Sequence, residues 1–142
     1  MTHTCVFCEI VAGRGTASIF YEDDLVLGFM DINPVTPGHA LVIPKAHAPR
    51  LADLDEATGR HLFTIAQRTA AAIRASGVTC EGINLSLADG EAAGQEVDHV
   101  HLHVIPRYQG DGFRITARWG SRADRSDLDV VAAQIADSYR AL

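Results

Sequence analysis

The stretch "HVHLHVIPR", residues 99–107, alternates histidine with an aliphatic residue over its first six positions. Alternation at period two marks a half-buried strand, because successive side chains point to opposite faces. Val100, Leu102 and Val104 then face a core, while His99, His101 and His103 line the other side. At about 3.3 Å per residue, His99 and His103 lie roughly 13 Å apart along such a strand. Metal–nitrogen bonds of about 2 Å let one zinc ion hold two neighbouring rings but not all three. At least one imidazole is left for other chemistry.

Outward from this strand, the pattern alternates between strands and helices. "SIFYED" (18–23) and "LVLGFMDI" (25–32) read as strands meeting in a hairpin at Asp23–Asp24. "NPVTPG" (33–38) is a turn by its Asn, two prolines and Gly, and "HALVIP" (39–44) is a third strand. The period then changes. Asp53, with Glu56 three residues on, predicts a helix start, and Leu62, Ile65, Ala66, Thr69, Ala70 and Ile73 recur at helical spacing up to Gly77. "GINLSL" (82–87) returns to strand, and "ADGEAAGQ" (88–95) is a glycine-rich loop before the histidine strand. "YQGDGF" (108–113) is another loop, and Ser126 is expected to cap a last helix over about 126–141. The order β-β-β-α-β-β-α predicts one α+β domain over residues 1–142, an antiparallel sheet of about five strands with two helices.

Composition bounds the function. The 142 residues suit a single core, and 47% hydrophobic with 21% charged residues is an ordinary globular balance. Twelve Lys and Arg against 18 Asp and Glu give a net charge of −6, which speaks against a nucleic-acid surface. An anionic small molecule held by a few directed donors remains compatible with it. No stretch is apolar enough to span a membrane, and "MTHTCVFCEIVAG" lacks a signal-peptide pattern, so a soluble, cytoplasmic protein is expected. Three cysteines are too few for a disulfide framework.

Together, "CVFCEIVAG", "FMDINPVTPGHALVIPKAH" and "AAGQEVDHVHLHVIPRYQGDGF" resemble the histidine-triad (HIT) family, whose defining motif His-φ-His-φ-His-φ-φ stands here as residues 99–105. The resemblance covers nearly the whole chain and is nearest to the bacterial branch. It implies a nucleotide-binding hydrolase or nucleotidyl transferase acting at the α-phosphate of nucleotide conjugates, such as phosphoramidates or dinucleoside polyphosphates. His101 resembles the family's nucleophile, and a nucleotidyl-histidine would be the intermediate. His103 and His39 match positions from which imidazoles could donate to phosphate oxygens. A purine nucleotide or its conjugate is the implied partner. The alternative is a nucleotide-binding interaction module with residual activity.

The resemblance also distributes the remaining roles. Gly94 lets backbone approach an anion, Gln95 matches a leaving-group contact, and Glu96 is a carboxylate that could donate a proton or hold structure. Asp31 suits the two ribose hydroxyls. Phe7, Ile10, Phe29 and Ile32 suit an apolar slot for the base. Cys5-x-x-Cys8 alone could be a redox pair or half a metal site. With His47 and His99 it matches a Cys₂His₂ set for structural Zn²⁺. A homodimer forming one extended sheet is implied, with the Leu62–Ile73 stripe offered for pairing and the segment around Trp119 approaching the partner's site. Two positions depart from the pattern. Asp89 stands where relatives usually carry Asn, which leaves its expected phosphate contact without an amide donor. Asp98 replaces an aromatic residue.

Overall fold

The computed structural model describes residues 4–117 and 119–142. Five strands, β1 (Ile19–Glu22), β2 (Val26–Met30), β3 (Ala40–Pro44), β4 (Gly82–Ser86) and β5 (Leu102–Arg107), form one sheet in the order β1-β2-β3-β5-β4. Every neighbouring pair is antiparallel. Among the described residues there are three α-helices: α1 (Val6–Val11), α2 (Glu56–Ala75) and α3 (Arg125–Tyr139). The α+β class and the five antiparallel strands agree with the sequence reading, which lacked α1. Six residues are too few for a helical period to show. Packing fixes this helix, through Phe7 and Ile10 buried on the sheet.

The sheet separates two apolar layers. Val26, Ala40, Val42, Val100, Leu102 and Val104 face α2, which buries Leu62, Ile65, Ala66 and Ile73 against them. On the opposite face Leu27, Phe29, Leu41 and Ile43 pack with Phe7 and Ile10. The alternation read in residues 99–104 therefore holds, although the β5 ladder begins only at Leu102. Ahead of it, the Val100 N–H donates to Ala48 rather than to β3.

Several boundaries differ from the sequence reading. Asp55, not Asp53, caps α2 by accepting from the Thr58 N–H, while Asp53 accepts from the Arg50 N–H and closes a 3₁₀ turn at Leu51–Asp53. Asp124, not Ser126, occupies the cap position of α3. The Leu62–Ile73 stripe is consumed by the chain's own core, so it cannot serve pairing. The outward face of α2 carries Phe63, Gln67 and Arg74 instead. No helix among the described residues is long and apolar enough to cross a membrane.

Candidate functional site

Register brings the site together. Phe29 pairs with Leu41 and Leu41 with His103, so these side chains share one face of the sheet. Counting by twos along each strand puts Asp31, just past β2, and His39, just before β3, on that same face. The Asp31 N–H donates to the His39 carbonyl and continues the ladder. In the result Asp31 Oδ2 lies 3.4 Å from His39 Nε2 and 3.8 Å from His103 Nδ1.

A cavity of about 610 Å³ opens beside these groups. Phe7, Ile10, Phe29 and Ile32 line its apolar part, and Asp31, Gly94, Glu96, His101 and His103 line its polar part. Most of the sequence candidates therefore converge. Ile32 is 89% exposed, so it is a rim residue, while Phe7, Ile10 and Phe29 are buried. Val6, Met30, Asn33, Leu41 and Val97 also line the cavity and were not anticipated. The fold of α1, the register of β2 and β3 and, for Val97, the loop ahead of β5 place them there.

Hydrogen bonds assign the imidazole protons. His101 Nδ1–H donates to the His99 carbonyl oxygen over 2.7 Å, which leaves Nε2 as a lone pair. The His101 ring is boxed edge-to-face by Phe7 at 5.2 Å and His103 at 5.0 Å between centroids. Burial, with His101 and His39 nearby, pushes His103 down to about 4, against the opposing pull of the Asp31 carboxylate. Burial likewise lowers His39, again opposed by Asp31. Both rings are neutral at pH 7.

Three expected contacts lie elsewhere. The Gln95 amide is used up inside the glycine-rich loop: Oε1 accepts from the Gly90 N–H, and Nε2 donates to the Pro49 and Val97 carbonyls. Asp89 accepts from the Leu51 N–H, 2.9 Å away, and does not line the cavity. His39 is 3% exposed and touches His103 rather than the cavity. Arg50 reaches Asp98 across 2.7 Å, which gives the acid before His99 a partner. Asp89 and Asp98 thus both fasten the segment after His47 to the segment before His99.

Cys5, Cys8, His47 and His99 form a second constellation, their donor atoms within 4.8 Å of one another. His99 Nδ1 lies 3.4 Å from Cys5 Sγ, 3.6 Å from Cys8 Sγ and 3.3 Å from His47 Nδ1. His99 Nε2–H donates to the Pro44 carbonyl, so Nδ1 carries the lone pair a cation needs. Burial and then the neighbouring Cys5 push the Cys8 thiol up to about 11, and a bound cation would displace that proton. Two sulfurs and two imidazoles within this span fit a tetrahedral ion of zinc's type. Asp31, His39 and His103 form a comparable group, but the proton arithmetic differs. His39 Nδ1 accepts from the Val35 N–H, which puts the His39 proton on Nε2, the atom that would have to coordinate.

The HIT domain family model matches residues 13–110, and the chain belongs to this family. The crystal structure of a HIT family protein from Bacillus anthracis superposes with a TM-score of 0.87 at 41% identity, covering 97% of this chain and 99% of that one. A zinc-bound histidine triad family protein from Mycobacterium smegmatis is 41% identical with a TM-score of 0.75, over 95% and 97% of the two chains. An adenylylsulfatase of Arabidopsis thaliana is 33% identical over 144 aligned residues, covering 99% of this chain and 70% of that protein.

Proposed function

We propose that this chain is a nucleotide-conjugate hydrolase or nucleotidyl transferase that works through a covalent nucleotidyl-histidine at His101. The single observation that carries the reading is the His101 Nδ1–H bond to the His99 carbonyl, which leaves a lone pair on Nε2 of a ring that lines the cavity. The lone pair on Nε2 attacks the α-phosphorus, and the bond from phosphorus to the leaving group breaks with its electron pair going to that group. Water then attacks phosphorus, the P–N bond breaks with its pair returning to Nε2, and the water proton is released. An acceptor nucleophile other than water gives transfer in place of hydrolysis. The His99 carbonyl stabilises the positive ring while the adduct exists.

The other residues take supporting roles in this reading. Asp31 receives the ribose hydroxyls, and Phe7, Ile10 and Phe29 form the slot for the base, with Ile32 at its rim. Gly94 lets the loop backbone approach the phosphate, and Glu96 supplies a carboxylate on the leaving-group side. Gln95 and Asp89 shape the loop. Cys5, Cys8, His47 and His99 hold a structural zinc, which would supply charge and rigidity behind the triad. The adenylylsulfatase relative supports action on an adenylyl conjugate, and the zinc-bound relative supports the metal assignment.

The test is the His101→Ala protein, assayed on adenylyl sulfate, an adenylyl phosphoramidate and a diadenosine polyphosphate. Turnover should fall at least about a thousandfold, ~4 kcal/mol of barrier, with AMP binding retained. Mass spectrometry of wild-type protein denatured at neutral or alkaline pH should find one nucleotidyl group on the peptide holding residues 99–107. Near-normal turnover by the variant overturns the covalent reading and leaves nucleotide binding as the function.

A further inference from the structure

The proton positions on His39 and His103 can be traced to one fixed point, a backbone amide. The Val35 N–H can only donate, and His39 Nδ1 lies 3.1 Å from it, so Nδ1 accepts. The turn carrying Val35 is fastened on both sides: Thr36 Oγ1 donates to the Pro106 carbonyl over 2.6 Å, and the His39 N–H donates to the Thr36 carbonyl. Gly38, at φ +93°, closes the turn where any Cβ would come within 2.7 Å of Val78. A neutral imidazole has one proton, so that of His39 is on Nε2, 2.8 Å from His103 Nδ1. His103 Nδ1 must then accept, which places its own proton on Nε2. That atom has no hydrogen-bond partner among the described residues and belongs to a ring lining the cavity.

We infer that His39 is a positioning residue: locked by the Val35 amide, it donates to His103 Nδ1 and thereby holds His103 as an Nε2–H donor toward the substrate's phosphate oxygens. This rests on the nucleotidyl-transfer reading of the site. The expectation that His39 itself contacts phosphate is replaced by action at one remove. The chemical stake is a sign reversal. In the other tautomer His103 Nε2 would present a lone pair to an anion, turning a stabilising donor into a repelling acceptor. The Asp31 carboxylate, 3.4 Å from His39 Nε2, favours the same proton position. Burial keeps both rings singly protonated, without which no tautomer could be specified.

Long-range ¹H–¹⁵N correlation of the histidine rings in the full chain as purified, at about pH 7, reads the tautomers directly. Both His39 and His103 should be Nε2–H; Nδ1–H at either overturns the inference. Two variants separate positioning from structure. His39→Asn offers an amide oxygen to the Val35 N–H but no donor that reaches His103, whereas His39→Gln offers a donor to His103. The Asn variant should keep its fold and AMP affinity, show His103 as a tautomer mixture, and lose kcat roughly severalfold, in proportion to the Nε2–H fraction lost. The Gln variant should restore Nε2–H at His103 and most of kcat. Equal loss in both, with His103 unchanged, overturns the positioning role. Wild-type protein with both rings Nε2–H but no turnover of any adenylyl conjugate would instead overturn the enzymatic reading and leave the tautomer assignment standing.

Discussion

His99 Nε2 donates to the Pro44 carbonyl oxygen over 2.7 Å, and this one bond makes the ring's other nitrogen available to Cys5, Cys8 and His47. The same residue lends its own carbonyl to His101. A cation on Nδ1 of His99 would therefore anchor the backbone carbonyl that orients the His101 ring.

The first prediction follows from that anchor. Protein prepared without chelators should contain about one zinc per chain, and Cys5→Ser or Cys8→Ser should lower metal content and Tm together. Atomic absorption finding no zinc in the wild-type protein would return the two cysteines to plain thiols.

His103 sets a pH dependence. Its folded pKa, about 4, lies below the ordinary 6.5, mainly through burial, with His101 and His39 adding to the effect and Asp31 opposing it. As pH falls the unfolded chain takes the proton first. The contribution to stability is complete above pH 6.5 and is lost between 6.5 and about 4. Urea unfolding at pH 7 and pH 5 should show a smaller loss in His103→Asn than in wild type. An identical loss in both would show that His103 titrates normally.

Gln95 should reveal itself as a structural residue. It is buried, and its amide serves the Gly90 N–H and the Pro49 and Val97 carbonyls. Gln95→Ala should cost ~1–3 kcal/mol of unfolding free energy, since it strands backbone groups. Denaturant melts that match wild type, with activity reduced, would restore the direct substrate role.

Helix α3 predicts self-association. None of its residues is buried, yet Leu128, Val131 and Ile135 recur at spacings of three and four on an exposed face. Phe63 on α2 and Trp119 ahead of α3 are also exposed, at 52% and 81%. A second copy is expected to cover these surfaces, giving a dimer by sedimentation at micromolar concentration. A monomeric mass there would exclude it.

How the chain divides between what can be read and what must be folded is clear at particular residues. The strand positions of Val100, Leu102 and Val104 and the helical stripe from Leu62 to Ile73 were legible, because burial imposes a periodicity that survives in one dimension. Asp53 imitates the cap of α2 in the sequence, because its spacing to Glu56 matches a capping box. The choice of Asp55 depends on a 3₁₀ turn that consumes Asp53. Resemblance to a family named residues that fold to one cavity, Asp31, Gly94, Glu96, His101 and His103 among them, while His39, Gln95 and Asp89 hold protein partners outside its lining. The sequence by itself determined which residue types are available and which face of each strand they occupy. Only the tertiary structure decided which nitrogen of His39, His99, His101 and His103 carries the proton, because that depends on the Val35 amide and the carbonyls of Pro44 and His99, backbone groups that carry no side-chain identity and are silent in the sequence.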